Sequence, residues 1–221
     1  MELDHIYICT GKNAPAADAL VDFGITEGSP NVHPGQGTAC RRFFFHNFML
    51  ELLWGENIAE MTSENTKPLL LYEKCVLRPD DISPFGMGFR KTDETGNAAP
   101  FPARAYHPAY LPDSLNVQVA DGTKSTEPMY FYLFFAARQD SGESKKNPEP
   151  MAHRIPMREL TSATVFAKQQ SPISRAARII NRTTNVEIKS ADENLLILGF
   201  DNGTRRGQND FRPHLPLVMR W

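Results

Sequence analysis

The stretch HPGQGTACRRFFFHNFMLELLW, residues 33–54, decides how the chain is read. ACRRFFF has the apolar density of a strand, His46-Asn47 fits a two-residue turn, and FMLELLW is the returning strand. In that register Phe45 faces Phe48, Phe44 faces Met49, Phe43 faces Leu50 and Arg42 faces Glu51. Directly opposite residues project to one side of a sheet, so a guanidinium and a carboxylate share a face with Phe44, Met49 and Leu53. Slippage by one residue would reverse every facing. Buried ion pairs are weak stability devices. The pair therefore points to a pocket wall, where Arg42 would orient Glu51 or grip a substrate oxygen through bidentate hydrogen bonds. A buried ion pair with no chemistry is the competing reading.

The segment in front of the hairpin, HPGQGT, has the flexibility of a ligand loop. Gly35 and Gly37 allow backbone conformations that turn amides toward a ligand, with Gln36 and Thr38 as further donors. It lacks the spacing of a phosphate loop and runs into a strand. A plain lead-in turn is the alternative.

Outward from the hairpin, LDHIYICT alternates as a strand, with Leu3, His5, Tyr7 and Cys9 on one face and Asp4, Ile6 and Ile8 on the other. NAPAADALVDFG reads as a helix capped by Asn13, with Pro15 in its first turn and Gly24 at its end. Residues 1–54 thus run β-α-β-β, with room for another short strand near Ile25–Glu27. A helix is expected around Pro68–Cys75, and PFGMGFR is a short glycine-containing strand. Turn residues dominate 91–113, strands follow near 116–120 and 129–135, and QDSGESKKNPEP, 139–150, reads as an exposed polar loop. The opening pattern then returns over 158–221: RELTSATVFA, a helix with Ser171 as cap and Pro172 at its first position, then VEIKS, ENLLILGFD and HLPLVMRW. The expected fold is α+β, with two βαβββ modules (1–54 and 158–221) closing around a shared cavity. The Pro-rich residues 55–157 form the connection and insertion within one compact unit.

Composition excludes several classes. A net charge of −2 with both signs scattered argues against a nucleic-acid or anionic-membrane surface. No apolar run approaches the ~20 residues of a membrane helix, and the acidic start MELDHIYICT does not read as a signal peptide. Three widely spaced cysteines without a CxxC motif suggest reduced thiols, and with them a cytoplasmic protein. Cys9 and Cys40 read as packed small hydrophobes.

LDHIYICT, HPGQGTACRRFFF, LELLW, SPFGMGFR, YHPAYLP, the Glu127-Pro128 pair, RELTSATV and RPHLPLVMR together resemble the glyoxalase-like domain family of the vicinal-oxygen-chelate superfamily. That superfamily includes glyoxalases, extradiol dioxygenases and fosfomycin-resistance proteins, and its members run different chemistries on one scaffold. The resemblance implies that a metal-using member would draw His5 and Glu51 from the first module. RELTSATV and NLLILGF supply only Glu159, Thr161, Ser162 and Thr164, with Asp201 beyond the strand, so no tightly bound divalent metal is expected and any cofactor stays open. The expected function is a lyase-, isomerase- or hydrolase-type enzyme on a small, oxygenated, anionic metabolite. Glu51 would be its general acid/base, with His5 assisting and Arg42 stabilising negative charge. Tyr7, His33, Gln36, Gly37, Thr38 and Arg90 would bind substrate, and Tyr106, His107 and Tyr110 could form a lid. A non-catalytic protein that sequesters a small molecule is the alternative, and a homodimer is left open.

Overall fold

The computed structural model describes residues 1–141, 148–170 and 172–221. In chain order the elements are β1 (Glu2–Cys9), α1 (Ala17–Phe23), β2 (Asn31–His33), β3 (Thr38–Phe44), β4 (Met49–Gly55), α2 (Ile58–Met61), β5 (Phe85–Arg90), β6 (Ala103–Tyr106), β7 (Val117–Ala120) and β8 (Met129–Leu133). A second group follows: β9 (Leu160–Lys168), α3 (Arg175–Thr183), β10 (Val186–Ala191), β11 (Leu195–Phe200), β12 (Gln208–Asp210) and β13 (Leu217–Arg220). The chain is α+β, with most of its regular structure in two mixed sheets.

The larger sheet has eight strands in the order β2-β3-β4-β1-β5-β8-β7-β6. At its centre β1 and β5 run antiparallel, and each has a parallel neighbour on its other side, β4 and β8 respectively. The β3–β4 hairpin has the register expected from its sequence, with Arg42 opposite Glu51 and Phe43 opposite Leu50. The extra strand of the first unit lies at Asn31–His33, not near Ile25–Glu27.

The two βαβββ-like regions do not meet as expected. The strands that complete the sheet begun by residues 1–54 come from 85–133, the stretch read as insertion. Residues 158–221 build a separate five-stranded sheet, β10-β9-β11-β13-β12. It repeats the central pattern on a smaller scale: β9 and β11 are antiparallel, and each is flanked by a parallel strand.

Strand alternation explains how the layers assemble. One face of the large sheet presents Ile6, Ile8, Phe43, Leu50, Phe85 and Met87. These pack in a single cluster with Leu20 of α1 and with Val165, Leu196 and Leu198 of the small sheet. The turn residues of the hairpin reach across: Asn47 donates to the Leu160 carbonyl and accepts from the Leu160 amide. The other face carries a second cluster around Tyr7, Cys40, Leu53, Val119 and Phe131.

Helix ends differ from the sequence reading. Asn13 does not cap α1; it sits at a left-handed turn (φ 64°), and the helix begins after Ala16. Gly24 ends α1 as expected, at φ 119° with its amide returned to Leu20 and Val21. Ser171 lies outside the described residues, and α3 is capped instead by Ser174, whose hydroxyl accepts from the Ala177 amide. Around Pro68–Cys75 there is a single tight turn, Lys67–Leu69, and a wide turn, Glu73–Leu77, in place of a longer helix. Cys75 of that turn forms a disulfide with Cys9 at the end of β1, their Cα atoms 4.7 Å apart. The expected reduced pair is thus a cross-link, and the cysteines no longer argue for a reducing compartment. No helix among the described residues is long and apolar enough to cross a membrane.

Because Phe43 is wholly enclosed between the two sheets, Phe43→Ala is expected to cost about 3–5 kcal/mol. Val32→Ala, on the exposed side of β2, should stay within about 0.5 kcal/mol. Urea unfolding midpoints check both, and equal midpoints would contradict this layering.

Candidate active site

The second face of the large sheet carries a partly open cavity of about 180 Å³. His5 and Tyr7 from β1, Glu51 from β4, His33 from β2 and Gln36 form its polar end. Leu69, Leu71, Val117, Val119, Phe131 and Leu133 form an apolar wall. Tyr106, Tyr110 and Leu111 also line it, so the two tyrosines of YHPAYLP border the cavity, whereas His107 is exposed and does not. Tyr110 and Tyr106 donate to the Gln36 side-chain carbonyl at 3.1 and 3.5 Å.

A β-bulge builds the polar end. In the β1–β5 pairing Leu3 faces Phe89 and His5 faces Gly88, so Asp4 is an extra residue with no partner. Leu3 therefore joins the core with Ile6 and Ile8, against strict alternation, and the Asp4 side chain is brought beside His5. Asp4 Oδ2 lies 2.7 Å from His5 Nδ1. With Nδ1–H donated to Asp4, Nε2 is the imidazole nitrogen left for a ligand. Behind Asp4 stands Arg90, buried, donating from Nη1 to Asp4 Oδ1 at 3.1 Å and from Nη2 to Glu2 and to the Asn47 carbonyl.

Two glycines of β5 make room for this strand's rings. Gly88 sits opposite His5 and Gly86 opposite Tyr7. A methyl group on Gly86 would lie 2.1 Å from the Tyr7 ring, and one on Gly88 would lie 2.7 Å from both His5 and Phe131. SPFGMGFR is therefore a strand whose glycines form the floor under two pocket side chains.

Charge at the site is set by burial and by near neighbours. Burial alone would lower the pKa of His5, but the Asp4 hydrogen bond and the charges of Glu51 and Asp4 outweigh it and Arg90's opposition, and hold it above the ordinary value. Burial alone would raise Asp4, but His5 and Arg90 hold it below the usual carboxylate range. Burial, then the charge of Glu51, pushes the Tyr7 phenol far up, and its oxygen has no hydrogen-bond partner among the described residues. Burial is also the main cause that lowers His33, with His5 and Arg42 adding to it and Glu51 opposing. The Cys40 thiol is raised well above its ordinary range, first by burial and then by Glu51.

Several expected site residues are elsewhere. Arg42 is opposite Glu51 in register, yet its guanidinium turns aside to the Ser29 carbonyl (2.8 Å), the Ser29 hydroxyl (2.6 Å) and Glu149 (3.2 Å). It does not line the cavity and makes no ion pair with Glu51. Arg90 serves Asp4 and Glu2 and also stays out of the lining. The amides of HPGQGT are not offered to a ligand either: those of Gln36 and Gly37 bond the His33 carbonyl, and that of Gly35 bonds Glu60. Gly37, at φ 76°, packs so closely on the Asn57 carbonyl that no side chain fits. Thr38 is enclosed, its hydroxyl taken by Gln36 and His33. The segment is the turn of the β2–β3 hairpin.

His5 and Glu51, the ligands implied for a metal-using relative, have no counterparts from the other half of the sheet, where Gly88 and Phe131 stand beside His5. A different donor set does converge: His33, Cys40 and Glu51 present ligand atoms that all lie within 4.8 Å of one another.

No family model matches the sequence, and no curated protein matches it. Among solved structures the chain is similar to a hypothetical protein from Staphylococcus aureus, with a TM-score of 0.55 and 11% identity over 99% of this chain and 97% of that one. At that identity the likeness concerns the fold.

The Asp4–His5 contact makes a direct forecast. His5, held above its ordinary value, contributes stability fully below about pH 6.5 that is lost as pH rises through its folded pKa. Asp4, held low, contributes above about pH 4 what is lost as pH falls through its own folded pKa. Asp4→Asn should shift the His5 titration, followed by NMR of its ring protons, to lower pH. An unmoved titration would show that Asp4 does not govern His5.

Proposed function

We propose that this chain is a glyoxalase-like enzyme that moves a proton on a small, oxygenated, uncharged molecule with an apolar portion. One observation carries the reading: an imidazole oriented by a buried carboxylate shares the polar end of a largely apolar cavity with a second carboxylate, Glu51. His5 would take the proton through Nε2, with Asp4 stabilising the imidazolium that forms. Glu51 would be the second proton-carrying group, and the Tyr7 hydroxyl would donate to a substrate oxygen. This assigns to His5 the leading role that the sequence suggested for Glu51.

The sheet order supports the scaffold side of the reading. Two four-stranded halves meet through their first strands, β1 and β5, and each half runs first, last, third, second. That is how a pair of βαβββ units would join, although in the second half 91–102 takes the place of the helix. The cavity's chemistry changes the substrate class. It holds Glu51 and no lysine or arginine among its lining residues, and the one imidazole held above its ordinary value, His5, is already paired with Asp4, so an anion would meet the Glu51 carboxylate without a free counter-charge.

A second reading, binding without turnover, rests on the extent of the apolar wall. The two separate in one experiment. The protein is incubated in D2O with a panel of neutral carbonyl and hydroxycarbonyl compounds bearing short apolar groups, and deuterium uptake next to the carbonyl is followed by NMR. Wild type should exchange at least one of them, and His5→Phe should slow that exchange by about a hundredfold to ten-thousandfold. Compounds that raise the melting temperature but never exchange would favour sequestration.

A further inference from the structure

The His33, Cys40 and Glu51 side chains belong to three neighbouring strands, β2, β3 and β4. Their approach follows from register. Asn31 faces Cys40, so His33, two residues on, is a diagonal neighbour of Cys40 on the same side. Arg42 faces Glu51, so Cys40, two residues back, is a diagonal neighbour of Glu51 on that side too. Arg42 would crowd or neutralise this spot, but its guanidinium is held away by Ser29 and Glu149.

We propose that His33, Cys40 and Glu51 form a zinc-type metal site beside the polar end of the cavity, which His33 and Glu51 line, with its remaining coordination position open to that cavity. The donor set is one imidazole, one thiolate and one carboxylate, each an established zinc ligand, and three protein ligands with an open position is the arrangement of reactive zinc sites. A sulfur donor selects zinc or a similar borderline metal over magnesium and calcium. Binding replaces the thiol proton, which leaves to solvent, and the thiolate and carboxylate then cancel the two positive charges of the ion. A neutral cluster suits a buried face. The imidazole already has an outer partner, since His33 Nδ1 lies 3.0 Å from the Thr38 hydroxyl, the kind of contact that fixes a ligating histidine. Its other nitrogen lies 3.0 Å from the Asn31 amide nitrogen, which would yield to the metal.

A second observation points to a ligand in this cavity. Tyr7 lines it with His33 and Glu51 and keeps a buried hydroxyl with no partner among the described residues, on the β5 side of β1. A ligand that reaches from the metal toward β5 would accept from it. The ligands lie in one half of the sheet and leave His5 free. The site uses Glu51 as a ligand, so with metal bound the proton-transfer reading rests on His5 alone and Glu51 holds the metal in place of carrying a proton.

Tag-free protein is stripped of metal and titrated with cobalt(II), then with zinc(II) against a chromophoric chelator. One equivalent of cobalt should give tetrahedral visible bands and a thiolate-to-cobalt charge-transfer band in the near ultraviolet. With Cys9 and Cys75 joined, Cys40 is the free thiol, so that band reports Cys40. Cys40→Ala should abolish the band, and His33→Gln and Cys40→Ala should each weaken zinc binding at least about a hundredfold, while His5→Phe should leave it intact. Circular dichroism of each metal-free variant confirms that it is folded; because Cys40 is enclosed, Cys40→Ser is the backup if Cys40→Ala is not. Absence of the charge-transfer band, or zinc affinity unchanged in folded variants, overturns the site. Metal binding without deuterium exchange would leave the site standing and remove the proposed enzyme activity; exchange without metal binding would do the reverse.

Discussion

The central antiparallel pair of the large sheet is the constraint on which the rest depends. β1 is covered on both faces: Ile6 and Ile8 enter the core, while His5, Tyr7 and Cys9 face the cavity side. Two aromatic rings cannot stand over a neighbouring strand unless that strand has no side chains beneath them. Gly86 and Gly88 meet that condition, and they do so only in the register in which β5 runs antiparallel to β1. Glycine in a strand interior ordinarily weakens it. Here the loss is offset because β5 is held between β1 and β8, with Phe85, Met87 and Phe89 fully buried on the core side.

The bulge at Asp4 is the second device on the same strand. Without it, Leu3 would face the cavity and Asp4 would be driven into the core between Phe89 and its neighbours. With it, the carboxylate is buried yet fully engaged, by an imidazole on one oxygen and a guanidinium on the other. A buried charge is tolerable only when paired and hydrogen-bonded, and Arg90 in turn is satisfied by Glu2 and the Asn47 carbonyl. The chain Arg90–Asp4–His5 thus runs from the sheet end to the cavity, and its rigidity fixes which imidazole nitrogen is presented.

What the sequence disclosed follows from what periodicity can encode. The hairpin register, the shared face of His5 and Tyr7, and the end of α1 at Gly24 were all legible, because each rests on local spacing. The bulge was not: L-D-H-I-Y-I-C alternates without fault, and one extra residue leaves no mark on such a pattern. Arg42 misled for a different reason. Its register is right, but a long side chain chooses its partners in space, and Ser29 and Glu149 are 13 and 107 residues away. Strands at 84–90, 116–120 and 129–135 were legible, but their pairing with 1–54 was not, because local spacing does not name a distant partner strand, and the function of Gly86 and Gly88 exists only once β1 lies beside them. Cys40 looked like a small hydrophobe, which its burial agrees with, and only the hairpins on both sides of β3 bring His33 and Glu51 to it.

The cavity divides along the seam of the sheet. The imidazoles and the carboxylate come from β1, β2 and β4, whereas β7 and β8 give Val117, Val119, Phe131 and Leu133. Both guanidiniums near the polar end are directed away from it, one outward to Ser29 and Glu149 and one behind Asp4. Their placement leaves Glu51 without an arginine partner among the described residues. The Tyr7 hydroxyl sharpens the point. A buried donor without an acceptor costs roughly 1–3 kcal/mol, and packing alone does not require a hydroxyl on that ring. Phenylalanine would fill the same space without the penalty. In the proposed reading that cost is offset when a ligand oxygen in the cavity accepts from the Tyr7 hydroxyl.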